Sequence, residues 1–100
     1  MNKRDAKWHP DATMEFVEYA TQFSSNHANQ AYIFIDILRS RKKIVLPKIE
    51  HNNSTIHWWS IYDATVYFKV DDKRIEVLHF GRTKTPHDRS VCENIARTRA

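Results

Sequence analysis

Lys69, His79, Arg82, Lys84 and His87 gather in the last third of this 100-residue chain, close to Tyr67. Such a mixture can cleave RNA without a metal. A base activates the 2′-hydroxyl, cations stabilise the charged phosphorane, and an acid protonates the leaving oxygen. For that chemistry the candidate set is Lys69, Arg82, Lys84 and His87. His79 sits in an alternating strand pattern, and its expected role is that of a satisfied core histidine. Other chemistries find little support. The six histidines show no HExxH spacing and there is no CxxC, so no metal site is expected. Cys92 is alone and has only His87 nearby. With one glycine, Gly81, the chain holds no phosphate loop or dinucleotide fingerprint, and no cofactor is expected.

These groups need a scaffold, and the composition allows one. Hydrophobic residues make up 41% and aromatics 12%, enough for one compact core, and the length suits one domain over 1–100. The net charge is +4 and the pI near 9.4, which fits an anionic partner or simple solubility. The basic residues fall in two clusters, Arg39 to Lys48 and Arg82 to Arg99. A lone cysteine, the lack of an apolar leader in MNKRDAKWHPDA and the lack of a long apolar run predict a cytoplasmic protein with no membrane segment.

The pattern predicts an α+β fold of β-α-α-β-β-β order. A weak edge strand lies within 2–8. Pro10 opens a helix over about 10–23, with Ala12, Phe16, Ala20 and Phe23 as its apolar stripe. Ser25 caps a second helix with Ala28, Ala31, Ile35 and Leu38 buried; its last turns carry Arg39, Arg41, Lys42 and Lys43, and Pro47 ends it. After a loop at 51–54, TIHWWSI (55–61), ATVYFKV (64–70) and RIEVLHF (74–80) read as strands. An antiparallel sheet of three to four strands therefore carries the helical hairpin on one face, and a short C-terminal helix or tail follows. Thr85-Pro86-His87-Asp88 is a capped helix start, placing Val91, Cys92 and Ile95 on one face and Arg89, Arg97 and Arg99 outside.

A two-residue turn at Asp71–Asp72 would pair Phe68 with Ile75 and Val66 with Val77 against the helices, and Tyr67 with Glu76 on the other face. Leu78 and Phe80 then point away from the helices. Either a partner or the folded-back tail must cover them.

The order of elements meets specific residues. WHPDATMEFVEYATQF resembles the first helix of the RelE/ParE superfamily of bacterial toxins. NHANQAYIFIDILRSRKKIVLP resembles its second helix, and YDATVYFKVDDKRIEVLHFGRTKTP its closing hairpin. The likeness covers about residues 6–88. It implies the toxin of a toxin–antitoxin module of the kind that stabilises plasmids or prophages, held inactive in a hetero-oligomer with a cognate antitoxin. The antitoxin's disordered segment would cross the helices and sheet at Tyr67, Leu78, Phe80 and Trp59.

The resemblance allows two targets. The helical hairpin and the Gly81-Arg82 pair are more similar to the ParE branch, which inhibits DNA gyrase without being a nuclease. Arg82, Lys84 and Arg89 would then bind the target. The KTP segment before a helix is similar to the RelE branch, which cuts mRNA on the ribosome. The arginine that branch uses after the tyrosine of the third strand is Ala64 here, which favours the gyrase reading. A basic nucleic-acid-binding module without toxicity is the remaining alternative.

Overall fold

The computed structural model describes residues 3–100, so Met1 and Asn2 lie outside the described residues. The chain runs β1 (Asp5–Trp8), α1 (Pro10–Gln22), α2 (Ser25–Leu38), β2 (Lys48–His51), β3 (Ser54–Ile61), β4 (Ala64–Val70), β5 (Arg74–Arg82) and α3 (Pro86–Arg99). The α+β reading holds, with the helical hairpin on one face. The sheet has five strands in the order β1-β5-β4-β3-β2 and is mixed, because β1 pairs parallel with β5 while the other pairs are antiparallel. No helix among the described residues is long and apolar enough to cross a membrane.

Local chemistry explains the helix starts. Pro10 occupies the first turn of α1, where a missing N–H costs nothing, and the His9 ring accepts from the Asp11 amide. Ser24, one residue earlier than expected, caps α2 by accepting from the His27 amide. The expected stripe Ala28, Ala31, Ile35 and Leu38 is buried. On α1 the expected Ala12 is buried and Phe16 and Ala20 pack against the core, but Tyr19 is buried where Phe23 is half exposed.

Helix α2 stops at Leu38 rather than running on through the basic residues. Arg4 explains the stop. Its guanidinium donates to the Leu38 carbonyl (3.1 Å), the Arg41 carbonyl and the Asp71 carbonyl (2.5 Å), tying the end of α2 to the β4–β5 turn. The expected loop at 51–54 is the tight turn of a β2–β3 hairpin. Asn52 and Asn53 have φ of 48° and 64°, the left-handed region that asparagine tolerates.

The β4–β5 pairing departs from the expected register in two ways. The connection has four residues, pairing Val70 with Ile75, because the Asp71 carboxylate accepts from the Lys73 and Arg74 amides and closes a wider turn. Phe68 then meets Val77, a β-bulge inserts Leu78, and Tyr67 meets His79. Beyond the bulge the faces are exchanged. Phe80 enters the hairpin-side core against the rings of Phe16 and Tyr19, at 5.6 and 5.2 Å between centroids. Leu78 lies in a second core with Tyr67, Ile56, Cys92 and Ala96, on the face that α3 covers. Helix α3 has the expected capping box, with reciprocal bonds between Thr85 and Asp88. It buries Cys92 and Ala96, while Val91 stays exposed.

Candidate functional site

The bulge and Gly81 decide what stands at the end of β5. The φ of Gly81 is not positive, so its need for glycine is steric. A Cβ there would lie 2.6 Å from His79 Nε2 and 2.8 Å from Cys92 Sγ. The one glycine is thus the point where α3 and the His79 ring close on the strand. His79 lies on the α3 face of the sheet, its ring reaching back to Glu15 of α1, and is 4% exposed. Its Nδ1 lies 2.9 Å from Glu15 Oε1, and its ring stacks on Tyr67. Arg99, expected outside, turns in instead. It donates to both Glu15 oxygens at 2.7 and 3.0 Å and to the Leu78 carbonyl at 2.9 Å. Burial opposes the Glu15 charge, but the bonds from His79 and Arg99 outweigh it and hold the carboxyl at about 2. Burial pushes the Cys92 thiol up to about 11, with Asp88 adding to the effect, so Cys92 is no nucleophile at neutral pH.

Past Gly81 the chain emerges as a basic run. Arg82 donates from Nε to Asp63 Oδ2 at 3.0 Å, and its guanidinium lies 4.6 Å from the centre of the Phe23 ring. Asp63 also accepts from the Tyr19 hydroxyl at 2.7 Å. That bond and Arg82 draw the Asp63 pKa down, while burial and the Asp63 charge push the Tyr19 phenol up to about 12. Lys84 and His87 are exposed, and Arg89 covers the Trp58 ring at 5.0 Å. Arg82, Lys84, His87 and Arg89 thus follow one another from the strand end into the first turn of α3. Lys69 does not join them. It pairs with Glu76, five residues along β4 from Ala64, the partner of Arg82, or about 17 Å at strand rise. There it lines a polar cleft of about 350 Å³ with Ser54 and Arg74. The four-residue nuclease constellation is not assembled.

The residues expected to meet an antitoxin are mostly interior. Tyr67, Leu78 and Phe80 are fully buried, the first two under α3 and the third under α1, and so offer no docking face. Trp59 is half-buried against Phe34, stacked at 4.1 Å. The open apolar surface lies elsewhere, in a groove of about 330 Å³ formed by Trp8, Thr13, Phe16, Val17 and Tyr32. Its signal in the sequence was Val17 and Tyr32, apolar positions outside both helical stripes.

A helical hairpin on one face of a small mixed sheet, a third helix on the other, and a basic strand end define a class of fold. No family model and no curated protein matches the sequence. Among solved structures the chain is similar to a chain described as "Chromosomal ParDE TA system from P. aeruginosa". The identity is 14%, the TM-score is 0.53, and the match covers 82% of this chain and 98% of the other. At that identity the likeness is one of fold.

Proposed function

We propose that the chain, over 1–100, is the toxin of a toxin–antitoxin module of the ParE kind, acting in the cytoplasm on DNA gyrase and neutralised by a cognate antitoxin. The observation that carries this reading is the fold shared with a ParDE chain across nearly the whole length of that chain. The exposed run Arg82, Lys84 and Arg89 supplies a target-binding surface of fixed geometry, since Arg82 is braced by Asp63 and Phe23. The antitoxin segment binds as an apolar stripe in the groove of Trp8, Phe16, Val17 and Tyr32. The separation of Lys69 from Arg82, and Ala64 in place of the arginine used by ribosome-dependent nucleases, favour gyrase over mRNA as the target.

The test is pulse labelling after induced expression in a bacterial host. Thymidine incorporation is expected to fail within minutes while methionine incorporation continues. The Arg82→Glu, Lys84→Glu double variant should grow normally and remain folded. Early loss of methionine uptake would move the target to the ribosome, and normal growth with the wild-type chain would refute toxicity.

A further inference from the structure

The β3–β4 turn carries a residue that its backbone does not favour. Tyr62 has φ 51°, the left-handed region that a bulky side chain adopts only at a cost. The β2–β3 turn meets the same demand with Asn52 and Asn53. Tyr62 is also 81% exposed, among the most exposed large side chains of the molecule. Its ring lies parallel to His27, at 4.3 Å between centroids and 15° between planes. One ring face is therefore backed and the other is open to solvent. A contact that leaves about four-fifths of the residue in water buries too little apolar area to offset a strained tyrosine at this turn.

The next residue connects this ring to a cation. Asp63 holds Arg82 at 3.0 Å through Nε, and the guanidinium lies over the Phe23 ring with its terminal nitrogens not used by Asp63. Lys84 follows, exposed. A braced, open aromatic face next in the chain to the aspartate that holds an arginine, with a lysine two residues beyond that arginine, matches what one nucleotide presents, a base to stack and a phosphate to pair. A protein partner would use the rings equally well, but the two cations and the net charge of +4 favour a polyanion.

We infer that Tyr62, backed by His27, is a stacking platform for an unpaired nucleobase, with Arg82 and Lys84 taking the adjoining phosphate. The site is a single-stranded nucleic-acid contact and does not depend on whether the chain is toxic.

The experiment measures anisotropy of fluorescein-labelled ten-nucleotide oligothymidylate and oligouridylate with purified protein at low salt. Binding is expected for the wild type. Tyr62→Phe should keep the affinity within about twofold, because the π-face remains. Tyr62→Asn should weaken it about 5- to 150-fold, the range for loss of one stacked base. Because asparagine suits the turn, that variant should melt at or above the wild-type temperature. Preference between the two oligonucleotides identifies DNA or RNA as the source. Undiminished binding by Tyr62→Asn overturns the inference, as does a lowered melting temperature, which would make the His27 stack a structural element. No binding by the wild type also overturns it and leaves the ring to a protein partner. Binding is read on isolated protein, so a chain that binds without arresting growth removes the toxin reading alone.

Discussion

Replacing Gly81 with alanine adds one methyl group, and the structure says where it would land. The new Cβ would sit 2.6 Å from His79 Nε2 and 2.8 Å from Cys92 Sγ, against ordinary carbon contacts of about 3.5–4 Å. Something must retreat by about 1 Å. His79 cannot do so freely, because Nδ1 is bonded to Glu15 at 2.9 Å and its ring lies on Tyr67. Cys92 belongs to α3, so its retreat lifts the helix from Tyr67 and Leu78. Overpacking of this kind costs about 1–3 kcal/mol, and two constrained neighbours put Gly81→Ala at the upper end, about 2–3 kcal/mol. For a chain of this size the melting temperature should fall by roughly 10–20 °C. The assay is thermal unfolding followed by circular dichroism, with Cys92 accessibility to a maleimide as the local readout. The thiol should react faster in the variant. Cys92→Ala in the Gly81→Ala background should recover part of the loss, giving a coupling of about 1 kcal/mol in the double-mutant cycle. A Gly81→Ala protein that melts within 2 °C of wild type, by a margin of roughly 0.5 kcal/mol, would refute the steric account.

Two further perturbations test the clamps at either end of the molecule. Glu15 in the folded state titrates at about 2 against an ordinary 4.5, so its contribution is complete above the ordinary value and disappears as pH falls towards 2. Allowing for solvent at a carboxylate 23% exposed, that contribution is about 1–3 kcal/mol; thermal melts of wild type and Glu15→Gln should converge between about pH 4.5 and 2, and a gap independent of pH would refute it. Arg4→Met removes charged donors from three carbonyls and should cost about 2 kcal/mol, with faster hydrogen exchange around residues 39–41; unchanged exchange there would show that α2 ends for another reason.

What could be read in the sequence was what depends on neighbours along the chain. The stripe of α2, the capping box at Thr85 and Asp88, and the strands rich in β-branched and aromatic residues all have a local period or spacing. The strand β2 did not, since KIEH is short and half charged and becomes a strand only through its pairing with β3. Its signal is the Asn-Asn pair, which suits a hairpin turn as well as a loop. The bulge at Leu78 had no signal at all. One extra residue there leaves Leu78 on the face away from the hairpin but exchanges the faces of His79 and Phe80, so a core aromatic and a buried histidine are displaced together. The Arg99–Glu15 pair joins residues 84 apart and has no sequence pattern to betray it. Tyr62 was legible in principle. It stands in a two-residue connection between strands whose limits were already placed, at a position where asparagine or glycine is the expected choice.

Charge is distributed over this fold in a way that solubility does not require. Between Pro10 and Leu38 the acids are Asp11, Glu15, Glu18 and Asp36, and every lysine and arginine of the chain lies outside that hairpin. The open apolar groove of Trp8, Val17 and Tyr32 is formed largely by that hairpin, while Arg82, Lys84 and Arg89 stand exposed at the strand end and the start of α3. An apolar groove suits an amphipathic segment; a basic, aromatic edge suits an anion. The two faces meet at Glu15, whose charge is turned inward to Arg99 and His79 rather than shown to solvent. That inward pair removes an acid from the groove side and an arginine from the α3 side, and it fixes α3 across the sheet. The clamp thus sets the relative position of two chemically different surfaces.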